Sequence, residues 1–194
     1  MYPCNGLTPF ARPLNELVWN DKTAPESLKY VDLANTKNGS IIEVTEYTWA
    51  DSPIRARRKL RAGDTIIGTV RPGNRSYCLV PQSDHPLTGS TGFAVLTPTK
   101  ECYREFNYLS LTSTTNINRL ETLASGAAYP AVNPDVVAGH TIPFAPEALV
   151  DRFHSTVKNS FDLMQVNQKQ NQELTALRDW LLPMLMNGQV TVAG

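Results

Sequence analysis

Long apolar runs are missing from this sequence. No stretch of about 18 apolar residues occurs, the length that a helix needs to cross a bilayer. The first residues, MYPCNGLTPFARPL, lack the basic start and the apolar centre of a secretory signal. With 41% hydrophobic residues in a chain of 194, there is still enough apolar side-chain surface for a core. The sequence therefore predicts a soluble, cytoplasmic protein with one domain of ordinary size.

Cysteine is scarce, and the three cysteines are far apart: Cys4, Cys78 and Cys102. An odd number at wide spacing is typical of free thiols rather than of a disulfide framework. The three histidines do not fall beside the cysteines at the short spacing of metal ligands. The sequence predicts no metal site.

Signatures of nucleotide binding and of hydrolysis are also absent. The sequence has no Gly-x-Gly-x-x-Gly after a strand, no Gly-x4-Gly-Lys-Ser/Thr and no Gly-x-Ser-x-Gly. Ser83, Asp84 and His85 have the residue types of a catalytic triad, but consecutive residues seldom converge on one point. We predict an ordinary loop there, no catalytic residues in the chain, and a protein that binds.

The charge balance is zero overall but uneven along the chain. Residues 55–104 carry a net charge of +6, whereas the segments 1–54, 105–146 and 147–194 carry −3, −2 and −1. The run DSPIRARRKLRAGD places five cations within seven residues: Arg55, Arg57, Arg58, Lys59 and Arg61. Like charges this dense repel one another, so the run is either a solvated basic surface or a face that binds phosphate.

Alternating apolar residues indicate two β-hairpins. KYVDLAN and SIIEVTEY flank Asn38-Gly39, a dipeptide typical of tight turns between strands. Residues 65–70 and 76–80 are two further β-rich runs, joined by a Pro-Gly-Asn turn. Both pairs of runs are predicted hairpins.

Two loops of this β-region carry residues suited to binding. The Pro-Gly-Asn turn leaves Arg71 and Arg75 at one end of its hairpin. The run GSTG, residues 89–92, precedes the predicted strand FAVLT and is able to form a nest of backbone amides. Without a following lysine, this run is not a P-loop.

The last quarter of the chain has the pattern of one long amphipathic helix. Residues 100–125 first indicate two shorter helices, broken where Ser113 and the two hydroxyl residues after it are able to cap the second helix. Residues 147–187 then repeat apolar side chains every seven residues. One repeat position holds Val150, Val157 and Met164, and the other holds Phe153, Leu174 and Leu181. A narrow stripe of this kind predicts a partner helix.

Polar residues interrupt the middle of this stripe: Ser160, Asn167 and Asn171. Buried amides would fix the register with a partner helix, whereas exposed amides would be ordinary surface. Both interpretations fit the sequence. Pro183 is expected to end or kink the helix.

Several motifs follow one another in a specific order. The run ARRKLRAGDTIIGTVRPGNRSYCLV is followed by GSTGFAVL, by ASGAAYPAVN and by IPFAPEA, which opens a long helix ending in NQELTALRDWLLPMLMNGQV. In this order, over residues 29–190, the chain resembles the specificity subunit of type I restriction-modification enzymes. The resemblance implies an α/β (α+β) fold, in which a mixed β-sheet target recognition domain with flanking helices precedes a long, coiled-coil-forming helix. The implied domains are residues 1–145 for DNA recognition and residues 146–194 for a spacer and dimerisation helix with a short tail.

Specificity subunits of this family contain two recognition domains, each followed by a long helix, and the two helices pack antiparallel. This chain contains one such unit, so the resemblance implies half a subunit that restores the whole by forming a homodimer. A pair with two-fold symmetry would read an interrupted palindrome. The predicted dimerisation residues lie on the helix stripe: Val150, Phe153, Val157, Met164, Asn167, Asn171, Leu174 and Leu181.

The predicted role is sequence-specific recognition of double-stranded DNA, without catalysis. The phosphate contacts are assigned to the cationic run: Arg55, Arg57, Arg58, Lys59 and Arg61. Contacts near the base edges are assigned to residues of the central loops: Arg71, Arg75, Tyr77, Ser90 and Thr91. For Arg71, a structural ion pair that holds the hairpin is the alternative.

The resemblance also implies two protein partners. A modification subunit would carry S-adenosylmethionine and flip an adenine out of the duplex, and a restriction subunit would use ATP and Mg²⁺ for translocation and cleavage. Neither cofactor is expected in this chain. Two other functions stay open: a protein–protein adaptor that works through its helix without DNA specificity, and a small DNA-modifying enzyme with an unfamiliar site.

Overall fold

The computed structural model describes residues 14–141 and 145–189 of the chain. Within these residues the chain forms nine β-strands and four α-helices. The strands are β1 (Ser27–Val31), β2 (Thr36–Lys37), β3 (Ser40–Ile41), β4 (Thr45–Thr48), β5 (Ala56–Lys59), β6 (Thr65–Gly68), β7 (Tyr77–Leu79), β8 (Leu87–Ser90) and β9 (Phe93–Leu96). The helices are α1 (Arg104–Thr112), α2 (Thr114–Leu123), α3 (Pro134–Ala138) and α4 (Glu147–Met186).

Seven of the described strands form two sheets. A four-stranded sheet has the order β4-β1-β8-β5, in which β1 and β8 are parallel and the other neighbours are antiparallel. A three-stranded antiparallel sheet has the order β7-β6-β9. Strands β2 and β3 form a separate two-stranded ribbon. The predicted fold class, mixed β-structure with flanking helices followed by a long helix, is confirmed.

The sheets stack in layers because side chains alternate between the two faces of each strand. In β6, Ile66 packs with Val31 and with other side chains of both sheets. The next residue, Ile67, packs instead with Leu111 of α1 and Leu120 of α2. The three-stranded sheet is therefore the middle layer, with the four-stranded sheet on one face and helices on the other.

The predicted turn at Asn38-Gly39 is confirmed, and both residues have a positive φ, 47° and 88°. The arms of this hairpin are interrupted, however. Strands β2 and β3 pair next to the turn, and β1 pairs with β4 farther out. The chain leaves the ladder between these pairs, where the Asp32 carboxylate accepts a hydrogen bond from the Asn35 N–H at 2.8 Å.

The second predicted hairpin, β6 with β7, is confirmed. Its connection contains a short 3₁₀ turn, Pro72–Asn74. The predicted strand FAVLT is β9, which pairs with the other edge of β6. The run GSTG, whose sequence is compatible with an amide nest, instead places Gly89 and Ser90 within β8. A side chain on Gly89 would come within 3.0 Å of Leu60, so this glycine serves close packing.

The two short helices predicted between residues 100 and 125 are confirmed as α1 and α2. Ser113 caps α2, because its Oγ accepts a hydrogen bond from the Asn116 N–H at 3.3 Å. Helix α3 was missed in a segment that has turn residues throughout. It is capped by Asn133, whose side chain accepts from the Asp135 N–H at 2.9 Å. Five residues are too few for a periodic signal.

The predicted long helix is confirmed as α4. It ends at Met186, one residue before the predicted end at residue 187. The expectation that Pro183 ends it is wrong: the helix continues to Met186, and Gly188 with φ 67° follows. Because Pro183 lies in the last turn, only one backbone hydrogen bond near the helix end is lost. The first three residues of the motif IPFAPEA, residues 142–144, precede α4 and lie outside the described part of the chain.

The chain divides into two compact units, Met1–Val157 and Lys158–Gly194. The first turns of α4 belong to the first unit, where Val150 packs against Tyr103. Phe153 meets Phe106 edge to face, with ring centroids 6.4 Å apart. The boundary predicted at residue 145 separates functions, DNA recognition from dimerisation, and the division into compact units does not test it. It stays a prediction.

A buried carboxylate connects α1 to the beginning of α4. Glu105 is 0% exposed, and its Oε2 lies 2.5 Å from Nδ1 of His154. Its Oε1 lies 2.7 Å from the guanidinium of Arg104. A buried carboxylate is stable only with such partners. These contacts therefore fix the start of α4 within the first unit.

Replacing Glu105 by alanine should lower the free energy of unfolding by about 3–5 kcal/mol, since it removes the buried carboxylate that pairs with His154 and Arg104. Urea denaturation followed by circular dichroism measures this loss. The exposed Glu173 on α4 is the control, and its replacement by alanine should change stability by less than about 0.5 kcal/mol. Equal effects of the two substitutions would contradict the role of Glu105.

Candidate nucleic-acid interface

The cations predicted to contact phosphate lie on and beside β5, the edge strand of the four-stranded sheet. The chain before β1 runs along this edge. The Trp19 N–H donates to the Arg57 carbonyl at 2.8 Å, and the Lys59 N–H donates to the Leu17 carbonyl at 2.9 Å. These bonds satisfy backbone groups that an edge strand would otherwise leave open. The cationic strand is thus a paired part of the fold.

Two of the five cations stack on tryptophan rings. The guanidinium carbon of Arg57 lies 4.2 Å from the centroid of the Trp49 ring. The ammonium of Lys59 lies 4.2 Å from the centroid of the Trp19 ring. An aromatic face attracts a cation and restricts its position. Both cations are half-buried in this arrangement.

Arg57 is also held by oxygen atoms of the segment that precedes it. Its Nη1 donates to the Ser52 hydroxyl and to the Pro53 carbonyl, each at 3.2 Å, and to the Ala56 carbonyl at 2.9 Å. A guanidinium with these acceptors and an aromatic face fixes the local chain. Arg57 therefore has a structural role, and a phosphate would meet only its remaining donors.

Arg58 is half-buried as well. Its Nη1 lies 3.4 Å from the carbonyl oxygen of Asn15, and its buried Nε has no hydrogen-bond partner among the described residues. A small cavity of about 60 Å³ adjoins this side chain, with Glu16 and Asp135 also in its lining. Most of the Arg58 side chain is thus directed into the fold.

Arg55 and Arg61 are the exposed members of the cationic run. They lie just before and two residues after β5, and so at opposite ends of this strand. The Thr91 N–H donates to the Arg55 carbonyl at 2.8 Å, which places the exposed Thr91 beside Arg55. Among the described residues no hydrogen bond holds either guanidinium, so both offer donors to an incoming phosphate.

A buried carboxylate fixes the turn that carries Arg61. Asp64 is 0% exposed and accepts hydrogen bonds from the Arg61 N–H at 2.9 Å, the Thr97 hydroxyl at 2.7 Å and the Asn15 side-chain amide at 3.3 Å. Burial raises the pKa of the Asp64 carboxyl, and these hydrogen bonds oppose the rise. The Arg61 backbone is consequently anchored to the core while its side chain stays in solvent.

Arg71 and Arg75 flank the 3₁₀ turn, and both adopt a left-handed backbone conformation with φ 48° and 56°. Arg71 donates through Nη2 to the Ala128 carbonyl at 2.9 Å, and its guanidinium lies 5.2 Å from the centroid of the exposed Tyr129 ring. Arg71 therefore makes structural contacts. The sequence-based alternative was an ion pair, whereas the observed partners are a carbonyl oxygen and an aromatic ring. Arg75 is half-buried, and its carbonyl accepts from the Asn38 N–H at 2.9 Å.

Two residues assigned to base contacts lie largely inside the fold. Tyr77 is half-buried against Tyr108, with ring centroids 6.4 Å apart in an edge-to-face arrangement. Ser90 is only 2% exposed, and its Oγ accepts from the Gly92 N–H at 3.2 Å. A buried hydroxyl has no surface to offer DNA, so Ser90 supports the sheet. Thr91 is the exposed residue of this loop.

The roles of the two tryptophans that contact cations of β5, Trp19 and Trp49, were not predicted from the sequence. Residues 1–25 showed no periodic pattern, so Trp19 was not assigned a role. Its indole N–H donates to the Thr88 hydroxyl at 3.0 Å, and the Trp49 indole N–H donates to the Asp21 carboxylate at 3.0 Å. These bonds orient both rings under their cations. The only sequence signal was aromatic residues outside any apolar stripe.

The predicted dimerisation residues of α4 separate into two groups. In the first unit, Val150 is 1% exposed and Phe153 is half-buried, because both pack on the body. Farther along, Met164 and Leu174 are 54% and 62% exposed. The remaining ones are half-buried or exposed: Val157, Asn167, Asn171 and Leu181. The part of the stripe open to a partner thus begins after the first unit.

Neither a metal cluster nor a membrane-spanning helix occurs in the described parts of the chain. Cys78 and Cys102 are free thiols, as predicted, whereas Cys4 lies outside the described residues. Burial raises the pKa of the Cys78 thiol to about 12, so this thiol stays protonated near neutral pH.

Replacing Arg57 by alanine should lower the free energy of unfolding by about 2 kcal/mol, because it removes hydrogen bonds and the contact with Trp49. The exposed Arg55 is the matched control, and Arg55→Ala should change stability by less than about 0.5 kcal/mol. Urea denaturation of both variants provides the comparison. Equal stability of the two variants would show that Arg57 is not a structural residue.

Comparison with known proteins gives one curated relative and two informative solved structures. No protein-family model matches the chain. The type I restriction enzyme HindI specificity subunit of Haemophilus influenzae is 30% identical over 157 residues, which cover 79% of this chain and 34% of the relative. The HsdS subunit from Thermoanaerobacter tengcongensis superposes with a TM-score of 0.50 and 26% identity, over 81% of this chain and 41% of that one.

A second solved chain is the subject of work on complex assembly and conformational transition of the type I R-M system. It superposes with a TM-score of 0.64 and 24% identity over 97% of this chain and 49% of that one, and at this identity it supports the fold alone. The chain spans about a third of the curated relative and at most about half of the solved chains. The chain is therefore a relative of the specificity subunits of type I restriction-modification systems and resembles half of such a subunit, with one target recognition domain and one long helix.

Proposed function

We propose that this chain is the DNA-recognition subunit of a type I restriction-modification complex and performs no chemistry itself. The observation that carries the proposal is its match to part of a specificity subunit, over 34% of the curated relative in sequence and 41% of a solved chain in fold. Exposed cations at both ends of β5 support it, because phosphate contacts supply much of the affinity of DNA-binding proteins. Residues 1–145 form the recognition domain in this proposal, and residues 146–194 the spacer and dimerisation helix.

The remaining half of the recognition surface comes from a second copy. Large apolar side chains on α4 beyond the first unit are exposed: Leu163, Met164, Val166, Leu174, Leu177, Trp180, Leu182, Leu185 and Met186. Exposed apolar surface of this extent on one helix favours a partner helix. Two copies paired antiparallel through α4 form a two-fold symmetric dimer that reads an interrupted palindrome. Asn167 and Asn171 then lie where polar residues fix the register.

The proposed role of each DNA-binding residue depends on how exposed its side chain is. Arg55 and Arg61 bind phosphates, and Arg58 and Lys59 add to the positive field from their half-buried positions. Arg75 and Thr91 lie in the loops that face the bases, and contacts of Arg71 and Tyr77 hold the connection that carries Arg75. Arginine is the side chain best suited to read guanine in the major groove.

The chemistry is assigned to partner subunits. A modification subunit with S-adenosylmethionine methylates an adenine flipped out of the duplex, and a restriction subunit with ATP and Mg²⁺ translocates and cleaves DNA. The specificity subunit brings both to the recognised site. A protein–protein adaptor without DNA specificity is the alternative, and its signature is the absence of DNA binding even with the modification subunit present.

Dimer formation should depend on the exposed stripe of α4. The double substitution Leu174→Glu and Leu181→Glu places charges on the proposed helix interface, and should convert a dimer into a monomer at micromolar concentration. Analytical ultracentrifugation measures the masses, with Glu173→Ala as the control that leaves the dimer intact. A wild-type chain that is monomeric under these conditions would refute the paired arrangement.

Substitutions of phosphate-contacting and base-contacting residues should affect DNA binding in different ways. With the modification subunit present, Arg55→Ala should weaken binding to all sequences alike and reduce the slope of log K against log salt by about 0.9. Arg75→Ala should instead relax the preference at one or two base pairs, by about 1–3 kcal/mol. Fluorescence anisotropy on matched and mismatched duplexes measures both. Identical behaviour of the two variants would contradict this division.

A further inference from the structure

An open cleft lies where the loop of residues 81–86 meets the turn of residues 60–63. Its volume is about 280 Å³. The buried side chains of Leu60, Val80 and Leu87 form its floor, and the exposed part of the loop forms one wall. A polar wall above an apolar floor is typical of a binding surface.

The two sides of the cleft are fixed to each other. The Leu60 N–H donates to the Leu87 carbonyl at 3.1 Å, which joins the turn to the end of the loop. In the same turn, the buried carboxylate of Asp64 accepts from the Arg61 N–H at 2.9 Å. The backbone of Arg61 is therefore fixed near the ends of the loop, and its exposed side chain extends into solvent from this turn.

The loop exposes four hydrogen-bonding side chains in sequence: Gln82, Ser83, Asp84 and His85. Prolines at both ends of the loop, residues 81 and 86, restrict the backbone dihedral φ. The Ser83 hydroxyl accepts from the His85 N–H at 3.3 Å, which restrains the turn further. A restrained loop loses less conformational entropy when its side chains bind a partner.

The position of Asp84 points to selective contacts rather than to general attraction of DNA. Residues 55–104 carry a net charge of +6, and of their three acidic residues Asp64 is buried in the core. The exposed Asp84 lies on the loop whose ends are bonded to the turn that carries Arg61. The Leu60 N–H donates to the Leu87 carbonyl, and the Gly63 N–H donates to the Val80 carbonyl. A carboxylate next to DNA repels phosphate, and it is compensated only when a base donates a hydrogen bond to it. Such a residue increases discrimination at the expense of affinity.

We infer that the loop of residues 81–86 reads base edges in the major groove, while Arg61 holds a neighbouring phosphate. This inference rests on the proposed function and names a part of its recognition surface. Gln82 is suited to the adenine N6 and N7 positions, and Asp84 accepts from the cytosine N4 amino group. Ser83 and His85 complete the polar wall of the cleft.

The complex of this chain with its modification subunit, bound to a randomised DNA library and sequenced after selection, tests the inference. Gln82→Ala and Asp84→Ala should each lower discrimination at one or two base pairs by about 5- to 150-fold. Gln82→Ala should leave the salt slope unchanged, and Asp84→Ala should tighten binding to non-specific DNA. Arg61→Ala should keep the motif and lower the slope by about 0.9.

Glu43→Ala is the matched control, because it removes an exposed acid elsewhere in the chain and should leave the motif unchanged. Loop variants that keep the wild-type motif, in a complex that still selects DNA, overturn the inference and leave the proposed function standing. Loop variants that release the modification subunit without a change of motif also overturn it, since the cleft is then a protein contact. A wild-type complex that selects no sequence refutes the proposed function together with the loop's role.

Discussion

The buried carboxylate of Asp64 is the contact on which the candidate interface depends. It receives hydrogen bonds from three separate segments of the chain: the run before β1 through Asn15, the turn after β5 through Arg61, and the end of β9 through Thr97. Burying a carboxylate costs free energy unless such donors surround it. Because all three segments converge on this one group, the backbone that carries the exposed side chain of Arg61 and borders the neighbouring cleft is fixed to the core.

The five cations on and beside β5 look equivalent in the sequence but differ in the folded chain. Arg57 and Lys59 lie on tryptophan rings, and Arg58 is directed towards a small cavity. Arg55 and Arg61 are exposed. A dense cationic run thus combines side chains that hold the fold with side chains free to bind an anion. Charge counts alone overestimate the number of phosphate contacts such a run makes.

Local signals explain which features could be predicted. The Asn38-Gly39 turn, the cap at Ser113 and the seven-residue repeat of α4 each depend on residues close in sequence, and each was found. The parallel pairing of β1 with β8 and the stacking of Trp19 on Lys59 join distant segments, and a single sequence does not encode them visibly. The burial of Ser90 and Val150 was missed for the same reason, because it depends on what packs against them.

We propose that this chain selects the DNA sequence that a partner methyltransferase modifies. Methylation sequencing of the host genome, with and without the gene for this chain, tests it most directly. We expect one interrupted, palindromic motif to lose its methylation when the gene is deleted and to regain it when the gene is restored. Methylated motifs that are the same in both strains would show that this chain does not select the modified sequence.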